Sequence, residues 1–247
     1  MIDSLLTPIH HYVSGEYKFI PGDTEERWNY NLKNSKDKLQ KAGWLDRNFS
    51  YLTDSLGFRN NNDYSPDHAY NLFLGCSHTF GIGLPIEDVW VSHVSKNFET
   101  PAYNVGVPGN GTDTAFRILL ALSKKIKLKN VFLLMPDPGR MEFYNQNIKT
   151  FDIITPWNNE TLLKYFSHPI QLYIHQEKNL LAMENICRNN NASFTSLSVA
   201  DLADMSLDSN ARDLSHFGTT SHLKIAERFM ESHDRKSKLS TRYNSSS

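Results

Sequence analysis

Two cysteines in 247 residues, no long apolar run and almost no imbalance of charge each remove a class of function. Cys76 and Cys187 cannot build a disulfide framework, and neither lies in a CxxC pair of the kind that holds structural zinc or forms a redox centre. Reduced thiols are the expected state. With 26 Lys and Arg against 27 Asp and Glu the formal net charge is −1, so no broad basic field exists for nucleic acid or an anionic membrane surface. No window approaches the ~18 apolar residues of a membrane span, and "MIDSLLTPIHHYV" lacks the basic region and sustained apolar core of a leader. The expectation is a cytoplasmic protein, bound to neither nucleic acid nor membrane, whose partner is a small molecule or a carbohydrate. Its oligomeric state stays open.

A hydrophobic content of 39% at this length allows one substantial core with extensions. Three regions are expected: an N-terminal extension over 1–65 laid on the domain, a domain over 66–233, and a polar, disordered tail over 234–247. From residue 69 onward, short apolar runs alternate with helical patterns, the signature of a parallel sheet covered by helices. "AYNLFLG" (69–75) reads as a strand, and "DVWVSHVSKNF" as a helix with Trp90, Val91, Val94 and Phe98 on one face. "AYNVGV" reads as a second strand, and a helix from about Thr112 to Lys125 would bury Ala115, Ile118, Leu119 and Leu122. "NVFLLM" (130–135) is the clearest buried strand, stopped by the prolines and glycine of "PDPG". A helical block over 158–190, interrupted near Pro169, leads to a last strand, "ASFTSL". A closing helix runs from Thr219 to about Ser232.

The run "LFLGCSHTFG" (72–81) delivers Cys76, Ser77, His78 and Thr79 where the first strand ends at a glycine. That is the carboxyl edge of a parallel sheet, where ligand sites of open α/β sheets form. A serine needs a base and a group to orient the base. "ARDLSHFG" supplies both, since Asp213 and His216 are three residues apart and one turn of chain lets them converge. The block follows the last strand, on the same edge.

These blocks together resemble the SGNH (GDSL-type) hydrolase superfamily of esterases and lipases. "LGCSHTFGIGL" matches its first block, "NVGVPGNGT" its second and "RDLSHFG" its last, in order over about residues 54–232, with a "SLGFRN" lead-in. The resemblance implies a three-layer α/β/α sandwich on a mainly parallel, flavodoxin-like sheet of about five strands. It implies Ser77 as nucleophile, His216 as general base and Asp213 as its orienting partner. The Ser77 and Gly109 amides would form the oxyanion hole, with His78 and Asn110 at the substrate. Gly109 suits that role physically, since a backbone amide approaches a developing O⁻ closely only where no side chain intrudes.

Two departures from the pattern matter. The aspartate that usually precedes the serine is Cys76, expected to pack inward because alternation along the strand points it away from Ser77. The third block, a Gly-x-Asn-Asp, should fall at "LLMPDPGRMEFYN", where no asparagine takes the expected place. Arg140 or Asn145 would then be the third oxyanion donor. No metal and no cofactor is expected, because "SHFGTTSH" is not a zinc spacing and no acidic cluster accompanies it. The functional expectation is a serine esterase acting on O-acetyl groups of a carbohydrate through an acyl-enzyme. An O-acyltransferase or a silent carbohydrate-binding module of the same fold is the alternative.

Overall fold

The protein is described from a computed structural model, which covers residues 5–6, 14–147, 149–155, 168–198 and 200–244, without the side chains of residue 200 and of 236–244. Its centre is a four-stranded parallel sheet made of β3 (Ala69–Leu74), β4 (Ala102–Asn104), β5 (Lys127–Leu134) and β8 (Ser193–Leu197). Their spatial order is β4-β3-β5-β8. The chain steps from β3 to β4 in one direction and then crosses back to β5 and β8. That reversal puts a topological switch point at the carboxyl end of β3, where a crevice opens in such sheets.

Period-two alternation sorts the strand residues between two cores. Leu72, Leu74, Val131 and Leu133 bury against α5 (Thr112–Leu122) and α6 (Pro169–Asn189), whose Ile118, Leu119, Met183 and Cys187 share that cluster. Phe73, Phe132 and Leu134 bury on the other face, against α4 (Trp90–Ser95) and α7 (Thr219–Asn244). Trp90 and Phe229 stack there at 4.4 Å. Each such side chain contributes about 1.5–3 kcal/mol on burial, so the two faces hold three layers together. The helix–sheet–helix class read from the sequence is the observed one, with four parallel strands among the described residues.

The N-terminal segment has more structure than its polar texture suggests. β1 (Gly15–Tyr17) pairs antiparallel with β2 (Tyr51–Thr53). Between them lie α1 (Glu25–Asn34), capped by the Thr24 side chain accepting from the Arg27 N–H at 3.1 Å, and α2 (Lys36–Lys41). Leu39 and Trp44 enter the same cluster as Phe73 and Trp90, so this segment closes one side of the core. Its Asn60 side chain pairs both ways with the Asn104 backbone, at 2.9 and 3.0 Å, and thereby covers part of the exposed edge of β4.

Of three local readings, the last two differ from the structure. Pro169 opens α6 at its first turn, where its missing N–H costs nothing, after an extended His168; residues 158–167 of the expected block lie outside the described residues. The closing helix passes Ser232 and runs to Asn244, through residues of the tail expected to be disordered, with no Pro or Gly to stop it. After "PDPG" an antiparallel hairpin stands outside the main sheet, formed by β6 (Met141–Asn145) and β7 (Thr150–Ile154). Its Glu142 accepts from Arg117 Nε at 2.7 Å and from Thr114 Oγ1 at 2.8 Å, a pair that ties the hairpin to α5.

Candidate active site

Ser77 opens the short helix α3 (Ser77–Phe80) directly after β3, at the switch point. Two close approaches fix that turn. Thr79 Oγ1 donates to Leu74 O, and the Asn104 amide donates to Thr79 O at 2.8 Å from the end of β4. Gly106 packs flat on α3: a Cβ there would stand 2.5 Å from the Phe80 nitrogen, so no larger residue fits without moving the serine helix. Gly109 differs, for it has φ +80 and nothing within 4 Å of where a Cβ would be, which leaves its backbone facing open space. Among the described residues neither the Ser77 nor the Gly109 N–H has a hydrogen-bond acceptor.

Asp213 and His216 meet as their spacing predicts. Asp213 Oδ2 lies 2.7 Å from His216 Nδ1, and Oδ1 accepts from the backbone N–H of His216 at 3.1 Å and of Ser215 at 3.3 Å. Leu214, at φ +55, makes the bend that lets one carboxylate reach both. Burial would raise the Asp213 carboxyl, but the bonds from the His216 ring and the two amides outweigh it and hold the group below its ordinary range. A bond from Nδ1 to a carboxylate suits the tautomer that carries its proton on Nδ1, in which Nε2 is the acceptor. The carboxylate is fully buried and the ring 22% exposed, so the pair is a wall of the crevice that solvent still reaches.

The two blocks converge through His78, whose ring lies 5.4 Å edge-on from that of His216 and stacks on Phe217 at 4.1 Å. Burial, with His216 and Arg140 close by, pulls His78 down to about 3, so it stays neutral at ordinary pH. Ser77 and His216 are not hydrogen-bonded. The Ser77 hydroxyl instead faces Cys76 Sγ at 3.9 Å. Cys76 is buried as expected, but its Sγ stands beside the Ser77 hydroxyl and not turned away from it, because the strand has ended by residue 74 and its alternation no longer applies.

The remaining site residues divide. Arg140 lies beside the Gly109 loop: its Nη1 donates to Asn110 O at 3.4 Å, and its charge bears on His78. Asn145 is elsewhere, since it sits in β6 with its amide bonded to Asp152 at 2.6 Å across the hairpin; strand pairing, invisible in the sequence block, carries it off the sheet edge. Asn110 is 1% exposed, and its side chain donates to Pro108 O and accepts from Thr114 Oγ1, so it shapes its own loop instead of facing a substrate. Among the described residues no group of three His, Cys, Asp or Glu side chains is gathered as metal donors would be.

Sequence reasoning missed the residues behind the histidine loop. Arg27 Nε and Asn31 Nδ2 donate to the Asp213 carbonyl at 3.0 and 3.1 Å, and Arg27 also bonds Ser215 Oγ. Their separation of more than 180 residues from Asp213 leaves no sequence signal. A cavity of about 520 Å³ opens at the outer edge of β4, between Asn60, Asp63 and Ser95, and neither Ser77 nor His216 lines it.

The fold and site thus define an α/β protein with a parallel sheet and an Asp–His pair at its switch point. No protein-family model matches the chain, and no curated protein matches it. Among solved structures it is similar to the psychrotrophic esterase EstA of a Pseudoalteromonas species, in a form inhibited by monoethylphosphonate. The identity is 15% over 68% of this chain and 98% of the esterase, at a TM-score of 0.36, a likeness too slight to carry any statement about activity. Among the described residues no helix is long and apolar enough to cross a membrane.

Proposed function

We propose that the protein is an SGNH-type serine hydrolase that cleaves carboxylic esters, O-acetyl groups on a carbohydrate in particular, through an acyl-enzyme. The observation that carries this reading is the 2.7 Å bond from His216 Nδ1 to buried Asp213, on the same sheet edge as Ser77. His216 Nε2 takes the Ser77 hydroxyl proton as Oγ attacks the acyl carbon. Charge gathers on the acyl oxygen, and the Ser77 and Gly109 N–H groups donate to it, with Arg140 as the third donor. Collapse expels the alcohol, which receives the proton from His216. Water then attacks the acyl-enzyme with His216 again as base, the carboxylic acid leaves, and Ser77 regains its proton.

A fluorophosphonate probe tests the reading without knowledge of the substrate. Ser77 is expected to label, Ser77→Ala to abolish labelling, and Cys76→Ala to retain it. Labelling that follows Cys76 would make the protein a thiol enzyme. A folded protein that does not label at all would favour the silent carbohydrate-binding reading, for which the missing Ser77–His216 bond speaks.

A further inference from the structure

Two stretches of main chain beside Ser77 and His216 are held by residues 20–59. The first is the turn that follows the serine helix. Arg59, 2% exposed, donates from Nη1 to Phe80 O at 3.0 Å and Gly81 O at 2.5 Å, and from Nη2 to Leu84 O at 2.6 Å. The Tyr51 hydroxyl accepts from the Gly83 N–H at 2.8 Å and donates to Asp23 Oδ2 at 2.5 Å.

The second stretch is the histidine loop. Asp23 holds the Arg212 guanidinium at 2.5 Å with both side chains under 5% exposed, and the Arg212 N–H donates to Gly83 O at 2.9 Å. Arg27 and Asn31 grip the next carbonyl, that of Asp213, from α1. The Ile20–Asp23 turn brings Gly22 beside His216, so that a Cβ there would stand 3.8 Å from Cε1.

We infer that the N-terminal segment sets the register between the serine turn and the histidine loop. Arg59 and Tyr51 position the first, and Asp23, Arg27 and Asn31 position the second; the two stretches meet where the Arg212 N–H donates to Gly83 O, and Tyr51 and Asp23 bond both sides of that junction. They are positioning residues, since they act on Ser77 and His216 through the backbone. Two buried guanidiniums are a costly way to fill space, whereas their directional bonds specify a single arrangement of the loops they join. Fixing the Asp213 peptide also fixes where its carboxylate points, and a shift of about 1 Å at such a site costs on the order of 10²-fold in rate. The inference rests on the hydrolase reading for its rate effect, but not for its geometry.

The test uses the full chain carrying Arg27→Ala with Asn31→Ala, which leaves Ser77, Asp213 and His216 untouched. Two measurements are made: the fluorophosphonate labelling rate, and the downfield proton NMR signal that a 2.7 Å Nδ1–carboxylate bond gives. The expected result is a labelling rate lower by about tenfold to a hundredfold, a broadened or lost downfield signal, and a thermal midpoint within about 4 °C of wild type. A variant with the wild-type rate and an intact signal overturns the inference. If the wild-type protein does not label, the hydrolase reading falls and the signal alone decides: loss in the variant upholds the inference, and retention overturns it. Should the double variant fail to fold, Asn31→Ala alone is read in the same way.

Discussion

Ser77 stands on a turn built by its neighbours in sequence and in the sheet: the end of β3, the Thr79 bond to Leu74 O, and the close face of Gly106. Asp213 and His216 stand on a loop that bonds itself through one carboxylate, yet is fastened to the molecule by Asp23, Arg27 and Asn31 from the far end of the chain. The first half of the site takes bonds from Arg59 and Tyr51 to the turn behind the serine helix, but rests chiefly on the strand end and on a close backbone contact. The second depends on long-range polar contacts, including a buried ion pair that is costly to break. Rate and stability should therefore respond differently to changes in the two halves.

The largest effect is expected at the orienting carboxylate. Asp213→Asn keeps the shape but no longer holds the proton on Nδ1 and its charge away from Nε2, so labelling and turnover should fall by about 10³–10⁴-fold. A loss under tenfold, read from labelling kinetics, would remove Asp213 from the proposed mechanism. Asp23→Ala strands the Arg212 guanidinium and should cost about 3–5 kcal/mol, measured by denaturant unfolding. Gly106→Ala, on the serine side, drives a Cβ against the Phe80 nitrogen and should cost about 1–3 kcal/mol as overpacking while also displacing Ser77. If it lowered stability without lowering labelling, the serine turn would be less tightly coupled to its glycine than the close contact implies.

Acid sensitivity sharpens the same contrast. The Asp213 carboxyl is held below its ordinary range, so folding favours its ionised form. Its contribution is full above the unfolded-state pKa of about 3.9 and is lost as the pH falls through the lower folded value. Asp213→Asn should flatten stability against pH below about 4, as monitored by unfolding at stepped pH. The smallest effect belongs to the surface. Glu184→Gln removes a 3.8 Å pair with Arg188, both side chains more than half exposed, and should change stability by no more than about 0.5 kcal/mol.

Much of this architecture is legible in the sequence because its signals are local. Continuous apolar runs mark β3 and β5, a 3.6-residue stripe marks α5, and Gly75, two residues before Ser77, marks the strand end. Asp213 and His216 find each other within one bend, so spacing alone announces the pair. Asn145 shows where that kind of reasoning ends. Counting residues after "PDPG" puts it near the site, but the alternating runs 141–145 and 150–154 pair with each other, and the amide goes to Asp152. The resemblance placed the Asn110 side chain at the substrate, while Thr114 and Pro108 hold it inside its loop.

The layers, the strand that carries Ser77 and the Asp213–His216 pair follow from local pattern, because hydrophobic period and short-range spacing act within a few residues of chain. That Arg27, Asn31 and Asp23 stand behind that pair, and that Arg59 and Tyr51 hold the serine turn, follows from the folded arrangement of distant segments. A hydrogen bond between residues nearly two hundred positions apart leaves no periodicity to read. It exists only once the buried apolar faces have brought the two ends of the chain together.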